Sequence, residues 1–270
     1  MTKVTVLCAV FNGERDIANM IESVLESTYS DFELLIIDDC STDSTPSILA
    51  SWDDRRIRVI RNHHNMGLTR SLNIGVKSSN STYISRIDAD DLFVKRRLAD
   101  HVKTLDDDPA LFMVGSRSLE KLENGDSVIL SAWYSTEEIE RKLKYTNLFT
   151  HSAVTFRRDI FIRLGGYDED YYCTQDYELW HRAVYRYGER VIMLDSIGVK
   201  RQIDRSSISG RKFFEQSKNG FKIRRGSISF TANLRLFTYQ VLTSWLSFRV
   251  PIVVRLIRAM KASRVRAGNG

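Results

Sequence analysis

Residues 4–39, VTVLCAVFNGERDIANMIESVLESTYSDFELLIIDD, decide the fold. The run VTVLCAVF is apolar and β-branched and stops at Asn12-Gly13, the pattern of a buried strand ending in a turn. Ile17, Met20, Ile21, Val24 and Leu25 then recur at helical spacing and predict an amphipathic helix. FELLIID, residues 32–38, is a second buried strand. Two buried strands joined by one helix predict a parallel pair with the helix packed across it.

The rhythm continues outward. A helix is expected over residues 45–52, a strand over 57–61, a helix after the turn at Gly67, and a strand over 82–87. This is an α/β chain with a mostly parallel sheet flanked by helices. Ligands in such sheets bind beyond the C-terminal strand ends. Asn12, Asp38–Asp39 and Asp88–Asp91 all fall there. After residue 110 come a strand in LFMVGSRSL, a helix opened by the capping pair Ser135 and Glu138, and a helix over 174–187. That half is expected to complete the sheet and supply the second wall of a cleft.

At 270 residues, 43% hydrophobic and 27% charged, the chain suits one large domain with an appendage. The net charge of +6 is uneven: residues 211–270 carry 13 Lys or Arg against the single acid Glu215. An anionic partner is therefore expected for the tail alone. Cys8, Cys40 and Cys173 fit neither a disulfide framework nor a zinc pattern and suit a reducing cytosol. The N-terminal apolar run is too short for a signal peptide, so secretion is not expected.

Three stretches carry candidate chemistry. In YISRIDADDLF, residues 83–93, alternate carboxylates at a strand end can aim at one divalent ion, or simply cap the helix that follows. Asp91 is the one expected to cap. In DDCSTDST, residues 38–45, Asp38 or Asp39 can accept hydrogen bonds from a nucleoside, or the stretch is a turn and cap at Ser44 or Thr45. NMGLTRSLNIG presents Arg70 on a helix, either solvated or near a diphosphate, and lacks the Walker pattern.

Taken together, these stretches and GGYDEDYYCTQDYELWHRA resemble family 2 glycosyltransferases of the GT-A fold, over roughly residues 3–190. The resemblance implies a Rossmann-like, mostly parallel sheet, a nucleotide-diphosphate-sugar donor of UDP type, Mn²⁺ or Mg²⁺, and inverting transfer to an acceptor hydroxyl. It places Ala9 and Phe11 against the base, Asp39 at the base edge, and Arg70 near the base or diphosphate. Asp88 would reach ribose or metal, Asp90 would be the metal ligand, and Asp176 the general base. Glu178 lies about 200° around the helix from Asp176 and is not expected to share its face. Trp180 is read as core, with sugar stacking as the alternative. Where the family often carries a His after a Tyr-Arg segment, this chain has Asp204 in VKRQIDRSSIS, a candidate metal ligand. His151 suits the acceptor side or a structural role equally. The QxxRW signature of processive synthases is absent, which favours addition of a single sugar.

Residues 1–210 are thus expected to form the catalytic domain, with a nucleotide-sugar half to about 110 and an acceptor half to 210. Residues 211–270 read as a basic, amphipathic helical tail. Arg249 and Pro251 interrupt its apolar stretch, which argues against a membrane span. Basic residues interleaved with Trp245 and Phe248 suit a helix pair on anionic lipid, or packing on the catalytic domain or a partner subunit. Only charge would suit RNA, and no nucleic-acid partner is expected. The expected place is cytoplasmic, peripheral at the inner face of the plasma membrane, on a lipid-linked or surface-polysaccharide acceptor. The rival readings are an inert nucleotide-sugar-binding or assembly protein and a sugar nucleotidyltransferase. The second is disfavoured because FNGERD stands where its Gly-rich phosphate loop would be.

Overall fold

The computed structural model describes residues 2–121, 127–129, 131–202 and 213–249. Strand β1 (Val4–Val10) lies between β2 (Phe32–Asp38) and β4 (Tyr83–Arg86), parallel to both, and β3 (Ile57–Arg61) pairs in parallel with β2. Alternate residues feed two cores. Leu7, Ala9, Leu35 and Ile37 face one side, while Val4, Val6, Cys8, Leu34 and Ile36 face the other. Two covered faces are why these strands are apolar throughout. Helix α1 (Ile17–Leu25) covers the second side with Ile17, Met20, Ile21 and Val24. Helix α3 (Leu68–Ser78) covers the first, so closely that a Cβ on Gly75 would stand 2.3 Å from Leu7 Cδ1. Helix α2 (Thr45–Ala50) follows β2 and ends two residues earlier than the pattern suggested.

The second half joins the same sheet. Strand β8 (Val154–Arg157) runs antiparallel between β4 and β6 (Leu111–Lys121), and β9 (Arg190–Gln202) runs parallel to β6. Strand β5 (Asp91–Phe93) pairs antiparallel with the end of β9, and β7 (Ser127–Ile129) pairs with β6. The order is β3-β2-β1-β4-β8-β6-β9-β5. Four strand spacings separate β4 from β5 along the ladder, about 19 Å if the sheet were flat. The chain joins Arg86 to Asp91 in five residue steps, which span at most about 17 Å. The sheet therefore curls enough to bring its far edge within reach of the end of β4, and the acidic loop bridges the two.

Helix α4 (Arg97–Asp107) begins six residues after Asp91 and takes no side-chain cap from any aspartate. Asp91 instead opens β5, because its backbone pairs with Arg201. This corrects the expectation that it caps a helix. Helix α5 (Thr136–Lys142) carries the capping box of Ser135 and Glu138. Helix α6 (Arg158–Arg163) follows β8 directly, and α7 (Gln175–Tyr187) ends at Gly188 in the left-handed region, φ 70°. Trp180 is fully buried, 6.1 Å from both Phe112 and Phe156 by ring centroids, so it is core. Helices α8 (Phe213–Ile223) and α9 (Phe230–Arg249) pack together through Phe214, Phe221, Phe230 and Phe237, and α8 also packs on α7. Among the described residues no helix is long and apolar enough to cross a membrane. Cys8, Cys40 and Cys173 form no disulfide.

Under α4, His101 is fully buried, with Nδ1 2.8 Å from Thr155 Oγ1 and Nε2 2.6 Å from Ser116 Oγ. Burial, and then the charge of Arg97, hold its pKa well below the ordinary 6.5. The folded state keeps it neutral while the unfolded chain takes up a proton below that value. Its stabilisation is therefore lost as pH falls, by up to about 1.4 kcal/mol per pH unit below the ordinary value. Urea unfolding at pH 7.5 and pH 5 should show His101→Gln losing less stability between the two than the unsubstituted protein. An equal loss would remove His101 as a source of the pH slope.

Candidate active site

A cleft of about 1230 Å³ opens at the C-terminal edge of β1, β2 and β4. One wall comes from the strand ends. Ala9 is buried within β1, and Phe11, 48% exposed, stands just past it; both line the cleft. Asn12 adopts φ 55°, and its Oδ1 accepts from the Thr42 amide at 2.8 Å. The Gly13 amide donates to Thr45 Oγ1 at 2.8 Å. These bonds lace the turn after β1 to the turn after β2, so Thr45 serves the neighbouring loop rather than capping α2.

Asp39 lines the cleft and Asp38 does not. Asp38 accepts from the Ser41 amide at 2.9 Å and lies 3.5 Å from Arg61 Nε. Asp39 is buried and accepts three hydrogen bonds: Asn62 Nδ2 at 2.7 Å and Met66 N at 2.8 Å on Oδ1, and Gly67 N at 2.8 Å on Oδ2. Its carboxylate shapes the turn before α3, in which Gly67 sits at φ 85°. Arg70, one turn further, is not among the lining residues. Its side chain is half exposed and its Nε pairs with Glu169 at 2.8 Å.

Asp88 and Asp90 follow β4 and line the cleft beside Asp39. Arg86, only 1% exposed, points its guanidinium at Asp88 Oδ1. Burial opposes ionisation of Asp88, but Arg86, and then His151 and Arg201, outweigh it and hold the carboxyl below the ordinary range. Asp90 is shifted up, first by burial and then by the charge of Asp88. Asp91 is pushed to about 7 by burial and by Asp88, against the pull of Arg201, and accepts from the Ser152 hydroxyl. A bound cation is what two crowded carboxylates favour. Among the described residues no three His, Cys, Asp or Glu side chains converge to hold an ion alone. Two carboxylates with substrate phosphate oxygens completing the shell fit Mg²⁺ or Mn²⁺. Asp204 lies outside the described residues.

The other wall belongs to α7, α8 and the segment before β8. Asp176 is the second residue of α7, and Asn147 Nδ2 donates to its Oδ2 at 2.7 Å. Thr174 occupies the N-cap position without a capping bond. Glu178 turns away and pairs with Arg182 Nε at 2.7 Å, as the helical spacing implied. His151 lines the cleft with Nε2 2.8 Å from the Tyr167 hydroxyl, and burial lowers its pKa to about 4. Gln216, Ser217, Gly220 and Arg224 also line this end, so residues assigned to the tail form part of the cleft.

Asn147, Arg201 and Arg224 are cleft residues that sequence reasoning did not single out. Nothing near Asn147 or Arg224 distinguishes them in the sequence. The Arg86–Asp88 pair had a signal, since residues two apart at a strand end share a face.

The curled, mostly parallel sheet flanked by helices, with an acidic loop after β4, is an α/β fold of the GT-A type. The chain belongs to glycosyl transferase family 2, whose family model matches residues 5–165. It is 27% identical over 217 residues to the Escherichia coli UDP-Glc:alpha-D-GlcNAc-diphosphoundecaprenol beta-1,3-glucosyltransferase WfaP, covering 80% of this chain and 83% of that one. In structure it resembles the mannosyltransferase PcManGT from Pyrobaculum calidifontis in complex with GDP-Man and Mn²⁺, at TM-score 0.67 and 20% identity, covering 99% of this chain and 79% of that one. It also resembles S. aureus TarS in complex with UDP, at TM-score 0.65 and 18% identity, covering 91% and 72%. Likeness at these identities speaks for the fold alone.

Asp39→Asn should lower stability by about 2 kcal/mol, because the amide turns a donor toward backbone N–H groups that need an acceptor. Urea unfolding checks this. An unchanged midpoint would mean that the turn before α3 holds without the carboxylate.

Proposed function

We propose that the chain is a metal-dependent, inverting hexosyltransferase that moves a sugar from a UDP-sugar to a hydroxyl of a glycan carried on a lipid diphosphate. The observation that supports this is that Asp88 and Asp90, after β4, and Asp176, at the start of α7, line one cleft. Phe11 offers an exposed ring for the base, and Asp39 holds the turn beneath it. Asp90 and Asp88 would hold the divalent ion, which when bound supplies Lewis-acid neutralisation of the departing diphosphate.

On the opposite wall, Asn147 fixes one oxygen of Asp176 and leaves the other for the acceptor hydroxyl. Asp176 takes that proton as the acceptor oxygen bonds to the anomeric carbon. The bond from that carbon to the diphosphate breaks on the far side, so configuration inverts and the nucleoside diphosphate leaves. The E. coli relative, whose name gives a UDP-glucose donor and a sugar-diphosphate lipid acceptor, supports this choice of substrates.

A cytoplasmic site at the membrane face follows from the same acceptor. Helices α8 and α9 expose Phe214, Phe230, Leu234 and Tyr239 alongside Lys218, Lys222, Arg225 and Arg235. Apolar side chains flanked by cations suit the surface of an anionic bilayer. Sedimentation with vesicles containing phosphatidylglycerol should retain the protein at low salt and release it as salt rises. Binding indifferent to lipid charge would argue against this surface.

The test of function is a thermal-shift panel of UDP-, GDP- and dTDP-sugars with and without Mn²⁺. UDP-sugars should raise the melting temperature only with the ion. Asp90→Ala should lose that metal-dependent shift and all transfer. Asp176→Asn should keep the shift and lose about 10²–10⁴-fold in kcat. Full turnover in Asp176→Asn removes it as the base. Binding without transfer or donor hydrolysis in the unsubstituted protein would favour an inert nucleotide-sugar-binding protein.

A further inference from the structure

Among the described residues three arginines are almost entirely buried, and two have most of their donors engaged, each leaving only Nε without a partner. Arg86 pairs with Asp88. Arg97 donates to the carbonyls of Ser152 at 2.5 Å, Arg86 at 2.7 Å and Val154 at 2.9 Å, and to Ser85 Oγ at 3.2 Å. Arg224, 1% exposed, is different. Its Nε donates to Asn233 Oδ1 at 2.9 Å, but Nη1 reaches the Tyr145 carbonyl only at 3.3 Å and Nη2 reaches Gln240 Oε1 only at 3.4 Å. Among the described residues no carboxylate pairs with it. Arginine is rarely buried so deeply without an anion.

The surroundings of Arg224 are built to keep it there. It follows the last turn of α8 and forms part of the cleft wall with Ser217 and Gly220. A Cβ on Gly220 would stand 2.9 Å from Nη1, so a side chain there would push the guanidinium from its present position. Asn233, which receives Nε, is itself fixed by donating to the Phe221 carbonyl at 2.9 Å. The Tyr177 hydroxyl stands against the Arg224 guanidinium without a well-aligned hydrogen bond to it, and among the described residues the Gln175 side-chain carbonyl and the Thr174 hydroxyl are buried with no group in hydrogen-bonding geometry. Tyr177 is 5% exposed, and all three residues line the same cleft at the start of α7. The Tyr177 and Thr174 hydroxyls, which can donate, near a cation that no described carboxylate neutralises indicate a ligand that supplies oxygens.

We propose that Arg224, with the Tyr177 hydroxyl, anchors a phosphate group of the acceptor in the cleft beyond Asp176. The guanidinium fork matches two phosphate oxygens, and Tyr177 donates to a third. An acceptor sugar on a diphosphate would then lie with its hydroxyl toward Asp176 and its phosphates toward α8. The assignment to the acceptor rests on the glycosyltransferase reading, because that reading gives the donor's diphosphate to Asp88 and Asp90.

The test is calorimetric titration of decyl diphosphate into the full chain, with and without saturating UDP and Mn²⁺, using decyl glucoside as the neutral control. The unsubstituted protein should bind decyl diphosphate in both states. Arg224→Gln should weaken that binding about ten-fold or more, and Tyr177→Phe by several-fold, with UDP affinity unchanged. Because Arg224→Gln can compromise folding, each variant is accepted only with a cooperative thermal transition, and Tyr177→Phe alone suffices to decide. Failure of decyl diphosphate to bind, or undiminished binding in Tyr177→Phe, overturns the proposal. Parallel loss of UDP affinity would move Arg224 to the donor's diphosphate and also overturn it. Arg224-dependent binding of decyl diphosphate by a protein that does not bind UDP would instead sink the donor assignment and leave the phosphate site standing.

Discussion

The buried ion pair between Arg86 and Asp88 is the constraint on which the rest of the site depends. A guanidinium inside a sheet tolerates burial only with a partner, and the partner here is the first carboxylate of the acidic loop. The pair fixes where the chain leaves β4, and that exit sets the short bridge to β5. The short bridge makes the sheet curl, and the curl brings Arg201 of β9 beside Asp91 at 3.6 Å. Arg97 reinforces the same corner by tying the Arg86 carbonyl to Ser152 and Val154. One electrostatic contact in a central strand thereby anchors the acidic loop and, through it, the β5 edge of the sheet.

The first four strands and their helices were legible because each writes its own periodicity. Continuous apolar runs mark strands covered on both faces, and α1 repeats at helical spacing. β5 was not legible, since three residues carry no period and Asp91 looks like a cap until β9 arrives to pair with it. β8 and its antiparallel entry were hidden for the same reason: direction in a sheet is a property of partners distant in sequence. The capping box at Ser135 and the separation of Glu178 from Asp176 are local, and both appear as written.

The candidate site divides in the same way. Asp39, Asp88 and Asp90 sit at strand ends, where topology alone brings polar residues to one edge. Arg70 had a suitable neighbour in Gly67, yet its direction depends on Glu169, 99 residues away. Asn147 and Arg224 depend on loop and helix contacts that no pattern encodes. The charge of the tail was plain in the sequence, but α8 adds part of the cleft wall, a fact that composition cannot express.

The two walls are built from different materials. The strand-end side is main chain, laced by amide bonds from Asn12, Gly13, Met66 and Gly67, and it tolerates little revision. The opposite side is a helix surface in which Asp176 is backed by the Trp180 core while α8 is held by a few side-chain contacts. Away from Gly220 and the adjoining buried Arg224, substitutions on α8 can therefore accumulate without disturbing either the strand-end side or the carboxylate facing it. A lineage built this way would diversify in what it decorates while its sugar-transfer chemistry stays still.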